Sequence, residues 1–126
     1  MSLLIETIRK MGRWEKGRQG TGYEKCLVLT SPWPIGFDLY LLRYRKGQGI
    51  PLHRDEVPGM RHYRVNIVLK KGIQGGAFIC PNAWFSSSRL HVFRSDLCDH
   101  AVEPVKEGVR YVLSLGWVLK QKRNRA

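Results

Sequence analysis

Hydrophobic and polar positions alternate along most of this chain. In HYRVNIVLK (62–70), Tyr63, Val65, Ile67 and Leu69 fall on one side and Arg64 and Asn66 on the other, the period-two pattern of a strand. CLVLT (26–30), FDLYLLRYR (37–45), GAFIC (76–80), RLHVFR (89–94), DHAVEPV (99–105) and VRYVLSLGWVL (109–119) also read as strands. SPWPIG, KKGIQGG and PNAWFSSS between them are turns or loops, and Gly47, Gly49 and Pro51 break the chain before LHRD. Residues 2–10 (SLLIETIRK) differ: Leu4, Ile5 and Ile8 recur at helical spacing behind Ser2 as a cap, which predicts a short N-terminal helix. Residues 11–25 are Gly-rich, basic and aperiodic, and are expected to be a loop. Roughly seven or eight short strands behind one helix point to an all-β sandwich or barrel, not a βαβ fold.

Composition narrows the class. At 126 residues the chain is expected to be one domain, 1–126: helix and basic loop over 1–25, strand core over 26–119, and a basic tail over 120–126. A hydrophobic content of 43% is that of a globular protein. No run of about 18 apolar residues occurs, so no membrane-spanning helix is expected. The N-terminus lacks the apolar run and cleavage site of a secretory signal, which points to a cytoplasmic protein. Cys26, Cys80 and Cys98 are odd in number and form no CxxC pair, so reduced, buried thiols are expected. The formal charge of +12 is spread over several clusters. It fits attraction to nucleic acid, nucleotides or another polyanion, and equally a surface charged for solubility.

One set of residues suggests chemistry. In His53-Arg54-Asp55 the first and third side chains of an extended segment project to the same side, so both can reach one metal ion. His100 follows in the C-terminal half. Two neutral imidazoles and one carboxylate with open positions form the facial triad of non-haem Fe(II) oxygenases, whereas a closed set of four ligands leaves no room for a substrate. A surface His and Asp in a loop is the competing reading of His53 and Asp55 alone. Arg110 lies ten residues beyond His100, and its planar fork suits a carboxylate; an ordinary surface arginine is the alternative. Tyr44, on the strand before His53, offers a hydroxyl to the same carboxylate or a ring to the core.

YRKGQGIPLHRD, then GGAF, then HVFRSDLCDHAVEPVKEGVRYVLSLGW resembles the 2-oxoglutarate/Fe(II) dioxygenase superfamily, closest in style to its prolyl-hydroxylase-like bacterial or phage branches. The matching residues are Tyr44, Gly47, His53, Asp55, Gly75, Gly76, His100, Pro104, Val105, Gly108, Arg110 and Trp117, across about residues 37–119. The resemblance implies a double-stranded β-helix, a cupin-like jelly roll. It makes His53, Asp55 and His100 the Fe(II) ligands, and Arg110 with Tyr44 the anchors of 2-oxoglutarate. It also implies hydroxylation of a substrate C–H bond with O2, releasing succinate and CO2. The usual ending of the HYRVNIVLK strand is absent, which leaves Arg64 and Asn66 without an assigned role.

The substrate class stays open between a protein side chain, a small molecule and a nucleic-acid base. A non-catalytic jelly-roll module binding a polyanion through its basic surface is the alternative to an enzyme. His62 and His91 read as hydrogen-bonded strand histidines, and Asp99 as a neighbour that supports His100 or faces solvent. Trp84 and Phe85 either flank a substrate or pack in the core. Arg43, Arg45 and Arg54 form a basic rim or a landing surface for an anionic substrate.

Overall fold

The computed structural model describes residues 14–16, 22–31, 36–56 and 58–120, and these contain strands and turns but no helix. The helix expected over 2–10 and the tail beyond Lys120 lie outside the described residues. The strands are β1 (Trp14–Lys16), β2 (Glu24–Ser31), β3 (Gly36–Tyr44), β4 (Ile50–His53), β5 (Met60–Lys70) and β6 (Gln74–Gly75). They continue with β7 (Phe78–Ile79), β8 (Phe85–Ser86), β9 (Leu90–Arg94), β10 (His100–Val102), β11 (Val105–Glu107) and β12 (Arg110–Lys120).

Seven of them form one sheet in the order β1-β2-β3-β12-β5-β9-β8; β4-β10-β7 and β11-β6 form two smaller sheets. Every pair of strands is antiparallel. The long partners β3, β12 and β5 form the centre of the large sheet. The small sheets face it through aromatic contacts: Phe78 on β7 lies 5.0 Å, centroid to centroid, from Phe93 on β9.

Apolar residues fall on both faces of β3 and β12, interrupted by Asp38, Arg43 and Ser114, because each face of the large sheet carries its own buried cluster. One face gathers Cys26, Leu41, Leu69 and Tyr111, with Trp14 and Leu113 against them. The other gathers Tyr23, Tyr44, Val68, Val105 and Val112. Leu41 is fully buried, and truncation to Ala at such a site costs about 2–5 kcal/mol.

Several expectations need correction. Residues 11–25 are not loop throughout: Trp14 pairs with Cys26 and Lys16 with Glu24, so β1 and the start of β2 lie in that segment. The reason is tertiary. Arg43 places its guanidinium 3.9 Å from the centre of the Trp14 ring, anchoring a strand of only three residues. KKGIQGG is not turn throughout but carries the two-residue strand β6, GAFIC contributes only Phe78–Ile79 as β7, and DHAVEPV divides into β10 and β11 around Glu103 and Pro104. The alternation of β5 does not say which face is inside. The polar set, His62, Arg64 and Asn66, lines an interior cavity, while Ile67 on the other face is 41% exposed.

Candidate metal centre and its cavity

β4 and β10 bring His53 and His100 into direct cross-strand register. Residues opposed in this way project to the same face, and the two rings lie 4.3 Å apart, centroid to centroid. Asp55 follows two residues after His53, its backbone N–H held by the Ser95 carbonyl at 2.8 Å. Ligand atoms of His53, Asp55 and His100 all lie within 4.8 Å of one another.

The hydrogen bonds around the triad define which atoms it presents. His53 Nδ1 lies 2.8 Å from the Pro51 carbonyl, and His100 Nδ1 lies 2.9 Å from the Cys98 carbonyl. A carbonyl only accepts, so each Nδ1 carries the proton and each neutral ring points an Nε2 lone pair away from that bond. Those Nε2 atoms lie 3.4 and 3.3 Å from the two carboxylate oxygens of Asp55. Three acceptors facing one another at this range repel unless a proton or a metal cation joins them. Fixing the outer nitrogen of a ligand histidine on a carbonyl is also how metal sites orient the ring. Burial opposes ionisation of Asp55, but in the metal-free state protons donated from the His100 and His53 rings would outweigh it and hold the carboxyl far below its ordinary range. The Asp55 contact correspondingly raises His53 above the usual imidazole value, against the effect of burial. This donor set fits a divalent, open-coordination metal such as Fe(II).

The triad opens onto a cavity of about 290 Å³. Phe78, Phe93, Ile50 and Val102 give it an apolar side, and Tyr44 contributes from β3. Tyr44 is 1% exposed and stacks on Tyr23 at 5.2 Å; burial first, and then Tyr23, raise its phenol well above the ordinary tyrosine value. Arg110 is the direct cross-strand partner of Tyr44, so it shares that face, although it does not itself line the cavity. It is buried, and its Nε has no hydrogen-bond partner among the described residues. Burial lowers its affinity for the proton, Tyr44 opposes that shift and Arg89 adds to it. A desolvated guanidinium with an unmet donor fits a carboxylate.

A second polar group, to which the sequence assigned no role, lies on the same face of the large sheet as Tyr44 and Arg110. Arg64 donates to Ser114 Oγ at 2.8 Å and lies 3.1 Å from Asp38 Oδ1; Ser114 donates to Asn66 Oδ1 at 2.6 Å. Arg64 Nη2 also lies 3.1 Å from His62 Nε2. A guanidinium only donates, so His62 is neutral with its proton on Nδ1, a buried atom without a partner among the described residues. Burial and then Arg64 lower the His62 value, in agreement with a neutral ring. The alternation of β5 was the available signal for this group.

The remaining candidates separate. His91 is a hydrogen-bonded strand histidine, 2.7 Å from Ser86 Oγ, as expected. Asp99 does not touch His100 through a hydrogen bond; it pairs with Arg54 at 2.5 Å, linking the residue after His53 to the one before His100. Arg43 is no basic rim: it is buried and bound to Glu24 at 3.2 and 2.6 Å, while Arg45 approaches the same carboxylate at 3.4 Å. Trp84 and Phe85 are not core residues, being 65% and 52% exposed. Cys26 and Cys98 are buried free thiols, and Cys80 is partly exposed.

Comparison with known proteins bears on the fold. No family model matches the chain. The viral collagen prolyl hydroxylase of Paramecium bursaria Chlorella virus-1, solved with 2-oxoglutarate, superposes with a TM-score of 0.66 at 19% identity. The match covers 93% of this chain and 87% of the viral one. A prolyl-4-hydroxylase from Pseudomonas putida gives 0.66 at 16% identity, over 96% of this chain and 85% of the other. The fold is therefore the double-stranded β-helix shared with these hydroxylases. In sequence, the ATP-dependent RNA helicase HAS1 of Debaryomyces hansenii is 32% identical over 99 residues, 79% of this chain. The chain spans only 15% of that helicase, and its sequence contains no GxxxxGK(S/T) phosphate loop. Among the described residues, no helix is long and apolar enough to cross a membrane.

Proposed function

We propose that this protein is an Fe(II)- and 2-oxoglutarate-dependent dioxygenase that hydroxylates a substrate C–H bond. The observation that carries the reading is the convergence of the His53 and His100 Nε2 lone pairs on the Asp55 carboxylate, a group of acceptors that a divalent cation would satisfy. The likeness in fold to two prolyl hydroxylases supports the same reaction class.

In this reading His53, Asp55 and His100 hold the metal, and the two backbone carbonyls keep both rings in the ligating tautomer. The Arg54–Asp99 pair ties together the chain segments that carry the ligands. Arg110, with the Tyr44 hydroxyl beside it, binds the carboxylate of 2-oxoglutarate remote from the metal and so orients the keto acid. Phe78 and Phe93 exclude water from that side of the cavity. When bound, iron supplies the oxidising power, so that 2-oxoglutarate, O2 and R–H become succinate, CO2 and R–OH.

The test is succinate formation from 2-oxoglutarate with added Fe(II) under air. Wild type is expected to turn over slowly without substrate, and His53→Ala not at all. A wild type that forms no succinate, or equal rates in the two proteins, would sink the proposal.

A further inference from the structure

Cys80 and Cys98 lie outside the core cluster that holds Cys26, and the fold brings them together from two separate connections. β7 and β10 pair through Phe78 with Val102 and Ile79 with Ala101. From that ladder the chain runs on to Cys80 on one side and back through His100 to Cys98 on the other. Phe78 and His100 both line the cavity, and Cys80 and Cys98 each lie two residues beyond one of them, which turns both side chains toward one face. The turn after β7 closes the approach. Ala83 N–H donates to the Cys80 carbonyl at 3.2 Å, and the Cys98 thiol donates to the Asn82 carbonyl at 3.5 Å. Burial raises the Cys80 thiol above its ordinary value, and Cys98 adds to the shift by charge and by a hydrogen bond between the two side chains. The sulfurs are direct neighbours.

Their surroundings divide the roles. Cys80 is partly exposed and Cys98 is buried. A thiol open to solvent meets an oxidant first, and a covered thiol beside it resolves the product. The Cys98 backbone is held as well: its N–H donates to the Arg94 carbonyl at 2.9 Å, and its own carbonyl accepts from His100 Nδ1 at 2.9 Å. Cys26, by contrast, is fully buried in a cluster that contains no second sulfur.

We propose that Cys80 and Cys98 are a peroxide-sensitive modification site, forming a disulfide that crosslinks the β7–β8 connection to the segment presenting His100. The Cys80 sulfur attacks one oxygen of hydrogen peroxide, the O–O bond breaks and water leaves, giving a sulfenic acid on Cys80. The Cys98 sulfur then attacks the Cys80 sulfur, the S–O bond breaks, and the Cys98 proton leaves with the hydroxyl as a second water. Two thiols lose two electrons, and one peroxide is reduced to two waters. Burial disfavours the thiolate that attacks, so the reaction is slow, and a thiol reductant reverses it.

The test treats the full chain with a few-fold excess of hydrogen peroxide at about pH 8, metal-free in a chelator so that iron-driven oxidation plays no part. Wild type is expected to lose two hydrogens in intact mass and to fall from three titratable thiols to one in denaturant. Digestion without reductant is expected to yield Cys80 and Cys98 in one linked peptide, and dithiothreitol to separate them. The oxidised form is expected to melt several degrees higher, since a crosslink made in native geometry restricts the unfolded chain. Cys98→Ser is expected to leave Cys80 as a sulfenic or sulfinic acid, with no crosslink. Three thiols retained in wild type, a linked peptide containing Cys26, or a disulfide-bonded dimer would overturn the proposal. So would a wild type that over-oxidises Cys80 while Cys98 stays free, or an oxidised form that melts lower. The result does not depend on the oxygenase reading.

Discussion

His100 stands directly opposite His53 across the pairing of β10 with β4, and each ring is tethered by its Nδ1 to a carbonyl two residues earlier in its own chain segment. The tether fixes where both Nε2 atoms point. Asp55 completes the set from a loop, its backbone pinned to Ser95.

Loss of a ligand should therefore remove the metal and spare the fold. Asp55→Ala keeps its backbone bond to Ser95 and relieves the burial of a charge. We expect Fe(II) affinity to fall by at least about 100-fold, with a far-UV circular dichroism spectrum like that of wild type. Isothermal titration under anaerobic conditions measures the first and the spectrum the second. Retained affinity would remove Asp55 from the site.

Gly76 adopts φ +79°, and a Cβ there would come within 3.0 Å of Arg110 Cδ and 3.1 Å of Val105 Cγ2. Gly76→Ala thus strains the backbone and displaces the arginine assigned to the keto acid. The expected result is a KM for 2-oxoglutarate raised about tenfold or more with a smaller change in kcat, since binding is what the contact provides. Steady-state succinate assays over a range of 2-oxoglutarate concentrations distinguish the two parameters.

Gly116 leaves the space that Arg64 occupies: a Cβ on Gly116 would collide with the Arg64 guanidinium. Gly116→Ala should push Arg64 off Ser114 and Asp38 and cost about 1–3 kcal/mol. Urea denaturation measures this directly. A stability unchanged from wild type would mean that Arg64 does not depend on the packing described.

Several strands were legible from alternation alone, and the triad was legible because HxD was followed by His100 and Arg110. What was hidden depended on register. A three-residue strand such as β1 has too short a pattern to recognise, and only the pairing of Trp14 with Cys26 and its contact with Arg43 reveal it. Periodicity divides β5 into two faces but does not say which is inside. Here the polar face turns inward because the cavity wall is built from Arg64, Asn66 and Ser114. The burial of Arg43 was invisible for the same reason, since its counter-ion Glu24 is a neighbour only across β2 and β3.

That pair gives the fold a pH dependence. Hydrogen bonding to Arg43 is the largest effect on Glu24 and, against burial, holds its carboxyl below the ordinary value of 4.5. A carboxyl with a lowered folded value stabilises the protein fully above its unfolded value and loses that contribution as the pH falls through the folded one. Glu24→Gln should be less stable than wild type at neutral pH by about 1–3 kcal/mol, and the difference should shrink below about pH 4. Urea titrations at the two pH values test this; a difference that grows in acid would contradict it.

The central claim is that His53, Asp55 and His100 hold Fe(II) in a form that also takes 2-oxoglutarate. Anaerobic titration of the protein with Fe(II) and then 2-oxoglutarate tests it most directly, through the weak visible absorption that a keto acid chelating ferrous iron produces. The account predicts a saturable band in wild type that is absent in His53→Ala and needs a higher 2-oxoglutarate concentration in Gly76→Ala. A wild type without the band, or a band that survives in His53→Ala, would contradict it.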